Sequence, residues 1–188
     1  DIQPENDNIK VNSLRVYENS QFNVPKIYIT NKLPKETLVN RSNTNDNSIY
    51  KRLEHLPKLS IINLMDYSSE GLTLLTDDKS FAHYMQRPYG NKTVERQYRV
   101  RLHGLLTPGK ILGLSHGITV NNVKYKPMIV RDFNKQAKEK QNKEKMKKDP
   151  NGANRWIRVV TNDLHVRGVK NVFESMYCKV TRFICTQY

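Results

Sequence analysis

Short stretches in which apolar and polar residues alternate, interleaved with a few in which apolar residues recur at helical spacing, set out the elements of this chain. Lys26 to Asn31 places Ile27 and Ile29 between polar neighbours and reads as a half-buried strand with the isoleucines inward. Leu59, Ile61 and Ile62 form a short apolar run that reads as a core strand ending near Asp66. Tyr67 to Gly71 then read as a turn, and a second apolar run covers Leu72 to Leu75. Thr76, Asp77 and Asp78 stand where a cap is needed for a helix over 78–86, marked by Phe81, Ala82 and Met85. Further on, Val94, Arg96, Tyr98, Val100 and Leu102 share one face of a strand, and Glu95, Gln97, Arg99, Arg101 and His103 the other. Thr107, Pro108 and Gly117 have the cap, first-turn and stop positions of a short helix with Ile111, Leu112 and Leu114 inward. Asn121-Asn122 marks the turn of a strand pair, and strands continue through 123–133. Trp156 to Thr161 is a strand, and Val169, Val172, Phe173 and Met176 fall at i, i+3, i+4, i+7 on one helical face.

Between these elements the composition shifts. Residues 1–23 are polar and asparagine-rich, a tail with one short strand near Leu14 to Tyr17 or the remnant of a preceding domain. Residues 35–55 hold the polar run RSNTNDNS and read as a mobile loop. Residues 135–148 carry seven lysines and two glutamates, a lysine-rich insertion in a domain spanning 24–188 that ends at Pro150, Asn151 and Gly152. On its own such a run is a solvated helix or a disordered insertion; beside an RNA it docks on phosphates. The net charge over 188 residues is +14, which implies a polyanionic partner, nucleic acid first. No stretch approaches the ~20 apolar residues of a membrane span, so no membrane partner is expected. Two cysteines, Cys178 and Cys185, are too few for a disulfide framework or a metal site and read as packing thiols in a reducing compartment. The first residue is Asp1 rather than methionine, so the chain is expected to be processed or trimmed.

The chemistry gathers at Asp66. An acid at the end of a strand is most often a turn or capping residue. Here it lies in the string Leu64-Met65-Asp66-Tyr67-Ser68-Ser69-Glu70-Gly71-Leu72-Thr73-Leu74-Leu75-Thr76-Asp77-Asp78. That string resembles the signature of the ribosomal-RNA pseudouridine synthases of the RsuA type, G-R-L-D-x-x-T/S-E-G-L-L-L-L-T-N-D, in which the aspartate is the nucleophile. Arg96 to Gly104 resembles the same family's K-x-Y-x-V-x-V-x-G, with arginine for lysine and Tyr98 at the tyrosine. The closing segment from Trp156 resembles its W-L-x-V-x-L-x-E-G-R-N-R-Q-V-R-R-M-F, with Arg167 retained and Lys170 at an arginine that pairs with the aspartate. Asn31-Lys32-Leu33-Pro34 is a weaker match to the family's N-K-P-x-G. The small S4 RNA-binding domain that precedes the family's catalytic domain is not in this sequence.

The resemblance implies an α+β fold, a mixed and largely antiparallel sheet flanked by helices. It implies a catalytic set of Asp66 as nucleophile, Lys170 as its cationic partner and Tyr98 as the ring stacking on the target base. Arg96, Arg99, Arg101, Lys138, Lys143, Lys147 and Arg167 are the expected RNA contacts. Isomerising uridine calls for no metal and no other cofactor. Two readings follow. The first is an active ribosomal-RNA pseudouridine synthase. The second is a catalytically degenerate relative that serves as an RNA-binding ribosome assembly or structural factor; Leu64 in place of the family's arginine, Gly168 and Lys170 point that way. The expected partners are ribosomal RNA and ribosomal or assembly proteins, around a chain monomeric outside the assembly. The asparagine and lysine bias suits an organelle, the mitochondrion first, with the cytoplasm as the other setting.

Overall fold

The computed structural model describes residues 10–11, 14–15, 24–39, 47–87, 94–132, 155–162 and 166–188. In chain order its elements are β1 (Lys10–Val11), β2 (Leu14–Arg15), β3 (Ile27–Lys32), α1 (Ile49–Arg52), β4 (Ser60–Ile61), β5 (Glu70–Thr76), α2 (Lys79–Gln86), β6 (Arg96–His103), α3 (Pro108–His116), β7 (Ile118–Val120), β8 (Val123–Tyr125), β9 (Met128–Asp132), β10 (Arg155–Thr161), α4 (Val166–Ser175) and β11 (Lys179–Gln187). The main sheet has seven strands, six of them in the order β3-β5-β11-β6-β10-β9, with β4 also paired to β5. Every pairing in it is antiparallel except that of β11 with β5. The architecture is therefore the mixed, mostly antiparallel α+β fold expected. β1 and β2 form a separate two-stranded pair where a single strand was expected.

Helix boundaries follow local chemistry. Asp78 caps α2 by accepting from the amides of Ser80 and Phe81, and Thr107 caps α3 by accepting from Lys110 ahead of a first-turn proline. Asn121 and Asn122, both at positive φ, make the tight turn between β7 and β8. Val169, Val172 and Phe173 of α4 bury against Tyr98, Val100, Leu102, Ile157, Val159 and Phe183 of the sheet, the main core. Ile49, Leu59, Ile61 and Leu75 form a second, smaller one.

Four local expectations are corrected. β3 is inverted: Ile29 is 72% exposed, whereas Lys32 is fully buried. The reason is its acceptors, since the Lys32 ammonium is drawn inward to the carbonyls of Leu33, Tyr67 and Ser69. The strand before Asp66 is only Ser60–Ile61, and Gly71 lies inside β5 rather than in a turn. Within 35–55, the chain forms α1, capped by Ser48, and buries Ile49 and Glu36; residues 40–46 lie outside the described ones. Leu112 faces solvent, because Leu114 alone takes the fully buried place on α3. The lysine-rich insertion at 135–150, with Lys138, Lys143 and Lys147, also lies outside the described residues.

Candidate active site

Asp66 sits in the loop between β4 and β5, and that loop is fixed from several sides. The buried Asn63 side chain donates to the Leu72 carbonyl (2.9 Å) and accepts from the Leu74 amide (2.7 Å), clamping the start of the loop to β5. From α2, the Gln86 amide donates to the Ile61 carbonyl at 2.6 Å. From below, the Lys32 ammonium donates to the carbonyls of Leu33 (3.1 Å), Tyr67 (3.3 Å) and Ser69 (2.6 Å), so the far end of the loop is tied to β3. Burial pushes the Lys32 ammonium below the usual lysine range, against the pull of Glu36 and Asp66.

Asp66 performs both the turn role and a second one. Its Oδ1 accepts from the Ser69 amide (2.8 Å) and the Ser68 hydroxyl (3.2 Å), which closes the turn. The Lys170 amine, carried by α4, lies 2.9 Å from Oδ1 and 2.8 Å from Oδ2, and also donates to the Ser68 hydroxyl at 2.8 Å. Partial burial alone would raise the carboxyl's pKa, but the bonds from Lys170 and Ser69 outweigh it and hold Asp66 below the usual carboxylate range. The expected convergence of two residues 104 positions apart is present in the geometry. Lys170 also lies 5.3 Å from the centre of the Phe183 ring, whose other neighbour is Tyr98 at 4.7 Å between ring centres.

A cleft opens between the loop, α2 and β6, lined by Leu64, Met65, Met85, Arg96, Tyr98 and Tyr188 among others; Asp66 follows its Leu64-Met65 wall in the chain, but the Asp66–Lys170 pair is not part of the lining. Tyr98 forms part of its wall, but the residue is only 1% exposed. A base can stack on that ring only after its neighbours in the cleft shift. A carboxylate held ionised by a neighbouring cation, close to a cleft of mixed apolar and polar lining, is an arrangement suited to nucleophilic attack on a bound electrophile.

The family model described as RNA pseudouridylate synthase matches residues 18–182, nearly the whole chain. The chain belongs to the RNA pseudouridylate synthase family. Among curated relatives, the ribosomal large subunit pseudouridine synthase B of Buchnera aphidicola subsp. Schizaphis graminum is 25% identical over 96% of this chain and 65% of its own. An uncharacterized RNA pseudouridine synthase of Rickettsia bellii is also 25% identical, over 75% of this chain and 54% of its own length. The chain thus spans about half to two thirds of these relatives. The structure described as "Crystal structure of pseudouridylate synthase" superposes with a TM-score of 0.64 at 20% identity, covering 87% of this chain and 62% of that one, which supports the shared fold.

In this member of the pseudouridylate synthase family the other expected RNA contacts divide. Arg96 is not a surface cation: it is 2% exposed, faces the cleft, lies 4.5 Å from the centre of the Tyr188 ring and donates to the Tyr188 hydroxyl (3.1 Å). Its burial follows from the expected strand parity, since Arg96 shares the inward face with Tyr98 and Val100. Arg99 and Arg101 emerge on the opposite face of β6, and Arg167 is exposed in the first turn of α4. Leu64, where the resemblance implies an arginine, is 55% exposed at the cleft. Sequence reasoning missed Lys32 as a support of the Asp66 loop. The available signal was a lysine in the weak Asn31-Lys32-Leu33-Pro34 match, and it was obscured by assigning the isoleucines to the core.

Proposed function

We propose that the chain is the catalytic part of an RNA pseudouridine synthase that acts on ribosomal RNA, with Asp66 as nucleophile. The observation that supports the reading is the ion pair of Asp66 with Lys170, brought together from positions far apart in the chain. A target uridine is extruded from its RNA into the cleft, at a cost of a few kcal/mol. The Asp66 carboxylate attacks it, the N-glycosidic bond breaks, the uracil turns and is rejoined to the ribose through carbon. The ring carbon that joins the ribose gives up its proton and the freed ring nitrogen takes one up, so atoms and charge balance, and Asp66 is released unchanged. Lys170 keeps the carboxylate ionised and aimed; Tyr98 supports the base once the cleft side chains move apart. Ribosomal RNA as the substrate is supported by the name of the Buchnera relative, and an organellar ribosome, mitochondrial first, by the asparagine and lysine bias of the chain.

The closed Tyr98 ring and the apolar Leu64 favour a second reading, a relative that binds ribosomal RNA without modifying it. One substitution separates the two. Asp66→Asn keeps size and most hydrogen bonding, so RNA binding should persist while pseudouridine formation drops by on the order of 10⁴-fold or more. Mapping pseudouridines in ribosomal RNA from cells carrying Asp66→Asn is the check. Loss of one site supports the enzyme; an unchanged map, with ribosome assembly failing only on full deletion, supports the scaffold.

A further inference from the structure

Tyr98, Val100, Ile157, Val159 and Phe183 point from β6, β10 and β11 into the core beneath α3 and α4, so the alternate positions of these strands emerge on the other face of the sheet. There the register sets Arg131, Arg158 and Arg99 directly opposite one another across β9, β10 and β6. A second row holds Trp156, Arg101 and Arg182. The Arg99 guanidinium lies 4.6 Å from the centre of the Trp156 ring and that of Arg182 lies 6.0 Å away. The Arg101 Nε is buried with no hydrogen-bond partner among the described residues. Among the described residues, Glu70 is held by Arg182 at 2.5 and 3.1 Å, and Glu95 lies just ahead of β6.

Like charges directly opposite on neighbouring strands destabilise a sheet. Three arginines in one cross-strand row are a cost that burial does not offset, and a polyanion laid over the row removes it. Asp66 and Lys170 lie on the core side, where Lys170 faces the Phe183 ring, so the row is not an extension of the cleft. We propose that this face is a second RNA-binding surface, which takes the phosphate backbone of a segment other than the one entering the Asp66 cleft. Guanidinium forks match phosphate oxygens two at a time. Trp156 acts here as the surface that orients Arg99 rather than as a stacking platform for a base. A long folded RNA can engage both faces of one molecule, and a short oligonucleotide only one, so the second contact adds avidity for the long substrate. The proposal rests on RNA being the partner; the competing occupant is an acidic protein surface.

The test uses the full chain with Arg99→Gln, Arg131→Gln and Arg158→Gln combined, and measures filter binding to a long transcribed ribosomal RNA across a salt series. Loss of three phosphate contacts should flatten the slope of log affinity against log salt by roughly 2 and weaken binding roughly 100-fold at about 0.1 M salt. The variant should melt no lower than the wild type, since a repulsive row is gone. Lys51→Gln, Lys58→Gln and Lys79→Gln combined remove the same charge from exposed positions elsewhere and should cost less than about 10-fold. If the triple arginine variant does not fold, Arg131→Gln alone, on the edge strand β9, should still flatten the slope by roughly 0.7. Wild-type affinity and slope in the arginine variant, or an equal loss in the lysine control, overturns the proposal, and the first of these leaves the face to an acidic protein. A wild-type chain that binds no RNA at all would instead overturn the functional reading beneath it.

Discussion

Asp66 owes its ionisation to single contacts, and these can be removed one at a time. Because its pKa lies below the ordinary carboxylate range, the carboxylate is charged throughout neutral pH. The stability that its partners confer is present above the unfolded pKa of about 4 and is lost as pH falls through the native value. The acid limb of a pH–rate profile should therefore lie below about pH 4. Lys170→Met removes the amine and leaves the raising effect of burial, so the acid limb should move upward; an unmoved limb would show that Lys170 does not hold the charge. Lys32 makes the complementary case. Lys32→Met keeps the buried stem but leaves the Tyr67 and Ser69 carbonyls without their donor, which should cost about 2–4 kcal/mol in denaturant unfolding. Activity should fall more steeply than stability alone explains, because the loop that aims Asp66 loses its lower tie.

At the scale of elements, the decisive contact is the parallel seam of β5 with β11. Gly71 sits there at φ +107°, and a Cβ on it would stand 2.3 Å from the Cys185 carbonyl oxygen. Gly71→Ala thus combines backbone strain with a backbone collision that no side-chain movement relieves. A loss of about 3 kcal/mol or more in the unfolding midpoint is expected, along with displacement of the Asp66 loop that enters β5. A fully stable Gly71→Ala protein would mean that the two strands separate more easily than their pairing indicates. On the other side of the site, α4 places Lys170 toward Asp66 only because Val166, Val169, Val172 and Phe173 anchor its opposite stripe in the core.

For the whole molecule, the centre of the sheet should open only with global unfolding. Cys185 is buried there in β11 and Cys178 is buried in the link between α4 and β11, and burial pushes the Cys185 thiol up to about 11. Neither thiol should react with an alkylating reagent under native conditions, and both should become reactive together as denaturant passes the unfolding midpoint. Early modification of Cys185 alone would point to separation of β11 from β5 before the rest of the sheet. The charge of the molecule is also arranged by the sheet: one face turns toward the core and the cleft, and the other carries its arginines outward. Among the described residues no helix is long and apolar enough to cross a membrane.

Local chemistry in the sequence determined the elements whose boundaries it marks. Asp78, Thr107 and Pro108 start helices whatever lies around them, and the alternation from Arg96 to His103 assigns a core face and a basic face before any partner is known. The family motifs placed Asp66, Tyr98 and Lys170 as one set, although nothing local joins positions so far apart. Tertiary structure decided the rest, because burial depends on what lies opposite. Ile27 and Ile29 alternate like core residues, yet β3 turns them outward and draws Lys32 in, since the loop carbonyls of Tyr67 and Ser69 supply the acceptors. Alternation already set Arg96 on the face of Tyr98, and tertiary structure added its place over the Tyr188 ring in the cleft. The cross-strand row of Arg131, Arg158 and Arg99 exists only in the register of three strands, a relation between distant residues that no local pattern in the chain encodes.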